Sequence, residues 1–318
     1  MSARVAAILL TCALGVATLA AGPTQFRGGV HAVELNVSVI AGKKPVLDLG
    51  PADFEVRDNR VEQRIVSVSR DVQPIDLAVA VDMSEMQSRA LVAQIERTIG
   101  RIRDHLKPAD RVSVLTFADR IRTLAALVTP DAAGVKLGQP SNWGTHTPLN
   151  DVLGVMLAAS VPPDRRHLAV VFADGGDTGS VLSETDVLDL AGRSRAVVFA
   201  VTRTASSGWE MISFPRAFIE HPERRPTAFF ERLTTLTGGR VSTAAAIEIV
   251  QPSPGTLTGH VNANLIDNAF TSAIEDFRSG YTVRYVLGGE TAGWHDVAVT
   301  VRGHDEYRVR TRTGYRID

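Results

Sequence analysis

Cysteine is almost missing from this chain. Of 318 residues only Cys12 is a cysteine. The rest of the chain therefore has no disulfide framework, no thiolate nucleophile and no cysteine-based zinc site. An excess of one charge is missing too: 34 Lys+Arg face 35 Asp+Glu, a formal net charge of −1. That balance gives no long-range pull toward nucleic acid or an anionic membrane. Lysine is confined to Lys43, Lys44, Lys107 and Lys136. The arginines form no stripe interleaved with aromatics, so no nucleic-acid partner is expected. Also lacking are a Gly-x-Ser-x-Gly elbow, a P-loop, a Gly-x-Gly-x-x-Gly after a strand and a His-Glu-x-x-His pair. Paired carboxylates such as Glu34 and Asp48, or Asp53 and Glu55, fall on strands and turns with no cleft to work in. The chain is expected not to be an enzyme.

What is present begins with an apolar start. Arg4 precedes an apolar run from Val5 to Ala21, interrupted by Thr11, Cys12 and Thr18 and followed by Gly22-Pro23. This reads as a secretory signal over residues 1–21, with small residues at Ala20 and Ala21 for cleavage. A retained anchor is the alternative. The run is short for spanning and has no basic flank after it. No transmembrane segment is expected after cleavage, and the expected location is secreted, periplasmic or cell-envelope.

Hydrophobic composition of 44% with 22% charge suits a globular chain. Residues 22–72 read as a β unit: Val33, Leu35, Val37 and Val39 alternate, Asp53 to Arg57 is a short strand, and Val61 to Val68 alternates again. After Pro74 the pattern changes. The nearly continuous apolar run Ile75 to Val81 fits a strand buried on both faces. Leu91, Ile95, Ile99, Ile102 and Leu106 follow at helical spacing. Strands and helices then alternate, giving an α/β fold over residues 73–280, a mostly parallel sheet with helices on both faces. From Tyr281 the period-2 signal returns, and the strands of 281–318 are expected to join the N-terminal unit in one small β-sandwich. Two stretches interrupt the rhythm after strands: Arg203 to Thr227, carrying Trp209 and Phe214, and Ala244 to Gly259, containing Pro252 and Pro254. Loops at that edge of an open sheet line its binding crevice.

Three segments fall on loops at the carboxyl edge of the sheet. They are Asp82-Met83-Ser84-Glu85-Met86, Thr145-His146-Thr147-Pro148 and Asp174-Gly175. Hydroxyls and carboxylates converging there make an oxygen-only site, suited to Mg²⁺ above all, or to Ca²⁺ or Mn²⁺.

Several short stretches follow one order along the chain. Asp53-Phe54-Glu55-Val56, Asp110-Arg111-Val112 with Phe117, and Thr147 with Asp151 come first; Asp174 to Ser180, Thr237-Gly238-Gly239-Arg240, Gly280-Tyr281 and Gly314-Tyr315 follow. In that order the chain resembles a von Willebrand factor type A (vWA) domain protein, most like the secreted bacterial "VWFA-related" subgroup. The resemblance covers about residues 26 to 316. It implies a Rossmann-like vWA fold and a metal-ion-dependent adhesion site of the pattern Asp-x-Ser-x-Ser, Thr and Asp. Position by position, Asp82, Ser84, Thr147 and Asp174 match. The second Ser falls on Met86, a soft thioether and a poor Mg²⁺ ligand, and the usual preceding Gly is Glu85. Glu85 either compensates or faces solvent. Asp119, Asp151 and Asp177 are candidates for groups behind the ligands, with turn and cap formation as the alternative for Asp151 and Asp177. His146, Trp209 and Phe214 are expected on the rim that meets a partner.

The resemblance therefore implies adhesion or protein–protein interaction through a degenerate cation site that grips an exposed acidic residue of a protein partner. A metal-independent interaction module is the alternative, and a metal-assisted hydrolase a more distant one.

Overall fold

A computed structural model describes residues 31–70, 73–84, 89–138, 144, 146–203, 227–244, 247–253, 256–261, 263–288 and 292–318. The expected signal segment, Glu85, Met86, Trp209 and Phe214 lie outside the described residues.

The elements in chain order are β1 (His31–Ala41), β2 (Lys44–Pro45), β3 (Phe54–Asp58), β4 (Val61–Glu62) and β5 (Ile65–Arg70), then β6 (Ile75–Asp82), α1 (Arg89–Arg101), β7 (Arg111–Phe117) and β8 (Ile121–Val128). Next come α2 (Leu149–Leu157), β9 (Arg166–Phe172), α3 (Glu184–Arg193), β10 (Val197–Arg203), α4 (Ala228–Thr237) and β11 (Val241–Ala244). Last are β12 (Ile247–Ser253), β13 (Thr256–Val261), α5 (Ala263–Ser279), β14 (Tyr281–Leu287), β15 (Gly293–Val301), β16 (Arg308–Arg310) and β17 (Gly314–Ile317).

The α/β unit is built on a six-stranded sheet of order β11-β10-β9-β6-β7-β8. All its ladders are parallel except the edge pair β7–β8. Every residue of β6 and of β9 is buried. Alternate side chains of β6 serve two cores. Leu77, Val79 and Val81 face Ile95, Ile99, Phe270 and Ile274 of α1 and α5. Ala78 and Ala80 face Leu149, Leu153, Val187 and Phe230 of α2, α3 and α4. Both faces of the sheet are thus covered by helices, which is why these strands read as apolar runs and not as alternating ones.

Helix ends are set by local chemistry. Ser183 and Asp186 form a reciprocal capping box at the start of α3. Gly238, at φ +85°, ends α4. At Gly239 a β-carbon would lie 1.8 Å from the carbonyl oxygen of Val198, so only glycine lets α4 hand over to β11 this close to β10.

The terminal strands build two antiparallel sheets, β16-β1-β14-β5 with β2 beside β1, and β17-β15-β3-β4. Leu35, Val37, Tyr281 and Val283 from the first share one core with Phe54, Val56, Val297 and Val299 from the second. Strand β1 pairs with β14 along its first half and with β16 and β2 along its second. Arg312 fastens this unit to the α/β unit: its guanidinium donates to the carbonyls of Ala191, Gly192 and Ser194 at the end of α3, at 3.0, 3.2 and 2.9 Å.

Two expectations are corrected. The stretch Ala244 to Gly259, expected as an interrupting loop, holds the antiparallel hairpin β12–β13. Its register shifts between Val250 and Ser253, which places Pro252 where the ladder is already broken and no N–H is required. The run Val61 to Val68, expected as one strand, is divided between β4 and β5, which join different sheets.

Candidate functional site

Asp82 ends β6 and Asp174 follows the end of the neighbouring β9, in a register that sets Val81 against Phe172. Parallel pairing therefore brings these two residues to the same edge of the sheet, on the ends of neighbouring strands. Asp82 is buried, and its Oδ1 accepts from both the Ser84 amide, at 2.9 Å, and the Ser84 hydroxyl, at 2.7 Å. Ser84 Oγ lies 2.7 Å from Thr147 Oγ1. Asp82, Ser84 and Thr147 thus form one connected oxygen cluster. Asp174 stands at the same sheet edge, where its Oδ1 accepts the Gly176 amide at 2.8 Å.

Thr147 is held by the loop after β9. Its amide donates to Thr178 Oγ1 at 2.8 Å, and the amide of Thr178 donates back to the Thr147 carbonyl at 2.8 Å. The first amides of α2 are satisfied from that same loop. Asn150 N donates to Asp177 Oδ1 at 2.9 Å and Asp151 N to Ser180 Oγ at 3.2 Å. In return the Asp151 carboxylate accepts the amides of Val181, at 3.0 Å, and Leu182, at 2.9 Å. Open amides at a helix start are met here by side chains from another loop. Asp151 and Asp177 fix the frame around Thr147. Thr178 and Ser180 were not singled out from the sequence, although both lie in the quoted Asp174 to Ser180 stretch.

Asp119 stands on the turn between β7 and β8. Its Oδ1 accepts the His146 amide at 3.0 Å and lies 2.9 Å from His146 Nδ1. A β-carbon at Gly144 would fall 2.0 Å from the Asp119 carboxylate, and Gly144 adopts φ +88°, so this approach of the loop needs glycine. His146 is exposed at the rim, as is Val181 at 92%.

Two hydroxyls and two carboxylates stand at this edge, oxygen donors of the type that suits a hard cation, with no nitrogen or sulfur among the described members. No cluster of three or more His, Cys, Asp or Glu in metal-holding arrangement occurs among the described residues. Half of the present set is hydroxyl, so a site of this composition would not take the form of an acidic cluster.

No family model matches the sequence, and no curated protein matches it. Solved structures similar to the chain include an aerotolerance-related membrane protein from Bacteroides fragilis. It shows 15% identity and a TM-score of 0.42 over 63% of this chain and 98% of that one. BatB from Bacteroides thetaiotaomicron shows 15% identity and a TM-score of 0.40 over 64% and 98%. The manganese-loaded TRAP protein of Plasmodium vivax shows 10% identity and a TM-score of 0.37 over 81% and 97%. At such values these likenesses add nothing about function. The sheet order, with its antiparallel edge strand, and the loops gathered at its carboxyl edge describe an α/β fold with a mostly parallel sheet covered by helices on both faces.

Proposed function

We propose that this chain is an exported interaction module of the cell envelope or its surroundings. Its binding face is the carboxyl edge of the six-stranded sheet. Ser84 and Thr147 would hold a divalent cation, Mg²⁺ or else Ca²⁺ or Mn²⁺, with Asp82 and Asp174 close behind. The single observation that carries the reading is the oxygen cluster of Asp82, Ser84 and Thr147, drawn from segments far apart in sequence. When bound, the cation supplies an open coordination position for a carboxylate oxygen of a protein partner. Around it, Asp151, Asp177 and Thr178 hold the Thr147 loop, and His146 and Val181 stand exposed at the rim. The role is binding and not turnover, in line with the missing catalytic motifs.

A metal-free interaction module is the second reading. Two observations favour it: the Ser84 and Thr147 hydroxyls satisfy each other directly at 2.7 Å, and Met86 stands where a third hydroxyl is expected. Calorimetric titration of the protein with Mg²⁺ and Mn²⁺ separates the two. Heat of binding that vanishes in Asp82→Ala is the expected result. Titrations without heat would leave the metal-free module.

A further inference from the structure

Beside the oxygen cluster, a cleft of about 210 Å³ opens where β7 turns into β8. Met83, Phe117 and Ala118 line it and are buried, whereas Arg120 and Arg122 line it and are exposed. The hairpin places both arginines there. Arg122 sits opposite Thr116 in the β7–β8 ladder, and the Ala118 amide donates to the Arg120 carbonyl across the turn. The arginines that fasten the fold are paired: Arg111 and Arg165 with Asp76, and Arg278 with Asp110. Arg120 and Arg122 have no ion pair or hydrogen bond from their guanidinium groups among the described residues. The carboxylate between them in sequence, Asp119, is turned to His146.

We infer that this cleft binds a carboxylate side chain of an acidic protein segment through the guanidinium groups of Arg120 and Arg122, with no metal ion. Two guanidinium groups at one apolar-floored cleft repel each other until an anion sits between them. Planar guanidinium groups match a carboxylate with two parallel hydrogen bonds each. Asp119 also lines the cleft, so the local balance is two positive charges against one negative, which suits a monoanion over a doubly charged phosphate. The cleft borders the proposed cation site, so one acidic segment would reach both. In naming the partner as protein, the inference rests on the interaction-module reading, but the binding itself needs no cation.

The test uses a fluorescein-labelled hexaglutamate peptide, followed by anisotropy with Mg²⁺ and separately with excess EDTA. The expected result is binding in EDTA that weakens at least tenfold in the double variant Arg120→Gln/Arg122→Gln. A control double variant on the terminal β unit, Arg60→Gln/Arg64→Gln, should bind like the parent. Thermal unfolding of each variant checks that these exposed changes leave the fold intact. Equal weakening in both double variants, or no weakening in the first, overturns the inference. So does competition by inorganic phosphate at matched charge concentration. Binding seen with Mg²⁺ but abolished by EDTA overturns it while upholding the cation reading. EDTA-resistant binding in a protein that gives no Mg²⁺ heat upholds it and removes the cation reading.

Discussion

The hydroxyls of Ser84 and Thr147 lie 2.7 Å apart although 63 positions separate them in the chain. Ser84 is placed by the end of a fully buried strand, through two bonds to Asp82. Thr147 is placed by a loop that is itself bolted to the loop after β9. Neither position depends on the other, so their meeting is a property of the sheet.

The first prediction concerns the missing hydroxyl. Met86→Ser restores an oxygen where the vWA pattern has one, and Mg²⁺ prefers oxygen to a thioether. Mg²⁺ affinity is expected to rise about tenfold, equal to ~1.4 kcal/mol. Calorimetric titration of parent and variant checks it, and an unchanged affinity would count against it.

Removing the Asp151 carboxylate strips two amides of their acceptor. Asp151→Ala should destabilise the fold by about 1 kcal/mol, since one amide is exposed and the other half-buried and water meets part of the loss. Asp151→Asn, which keeps an acceptor oxygen, should recover part of that loss. Urea unfolding of both variants is the measurement. Equal stability of Asp151→Ala and the parent would show that water replaces the carboxylate at no cost.

His167 sits buried in β9, and burial pushes its imidazole down to about 4 from an ordinary 6.5. The folded chain therefore refuses a proton that the unfolded chain accepts. Stability from this source is intact above about pH 6.5 and declines as pH falls toward 4, by at most about 3 kcal/mol. Below that range both states are protonated and the decline stops. His167→Leu should flatten this part of the profile, read from urea midpoints between pH 7 and pH 4. A profile as steep as the parent's would assign the acid loss to other groups.

Arg312 spans the contact between the terminal β unit and α3, meeting three carbonyls there and that of Gly314 at 2.8 Å. A lysine ammonium has no planar fork to cover them together. Arg312→Lys should cost about 2–4 kcal/mol, by analogy with breaking a hydrogen-bonded charged group at a packed interface. Amide exchange should show the C-terminal end of α3 and strand β17 losing protection together. Loss confined to β17 would mean that α3 ends are held without this arginine.

Much of this architecture is legible in the sequence. Ile75 to Val81 announces a buried strand because a strand covered on both faces has no polar side to display. Leu91, Ile95 and Ile99 announce α1 because one stripe of that helix meets the core. Strand β8 was not legible. It is an edge strand with mostly exposed residues, two register shifts and Leu127 at φ +48°, so its sequence carries no clean period. The hairpin β12–β13 is hidden in the sequence by Pro252, which the local break in its ladder accommodates.

The same division holds at the site. The linear order Asp82, Ser84, Thr147, Asp174 names chemical types, since carboxylates and hydroxyls after buried strands are visible residue by residue. The roles of Thr178, Asp177 and Ser180, and the convergence of Arg120 and Arg122 on one cleft, exist only once the loops pack. Hydrophobic periodicity is a local property and fixes which segments become strands and helices. Which loops become neighbours is decided by strand order and register, a sum of pairings between segments far apart in the chain, and no short stretch of sequence contains it.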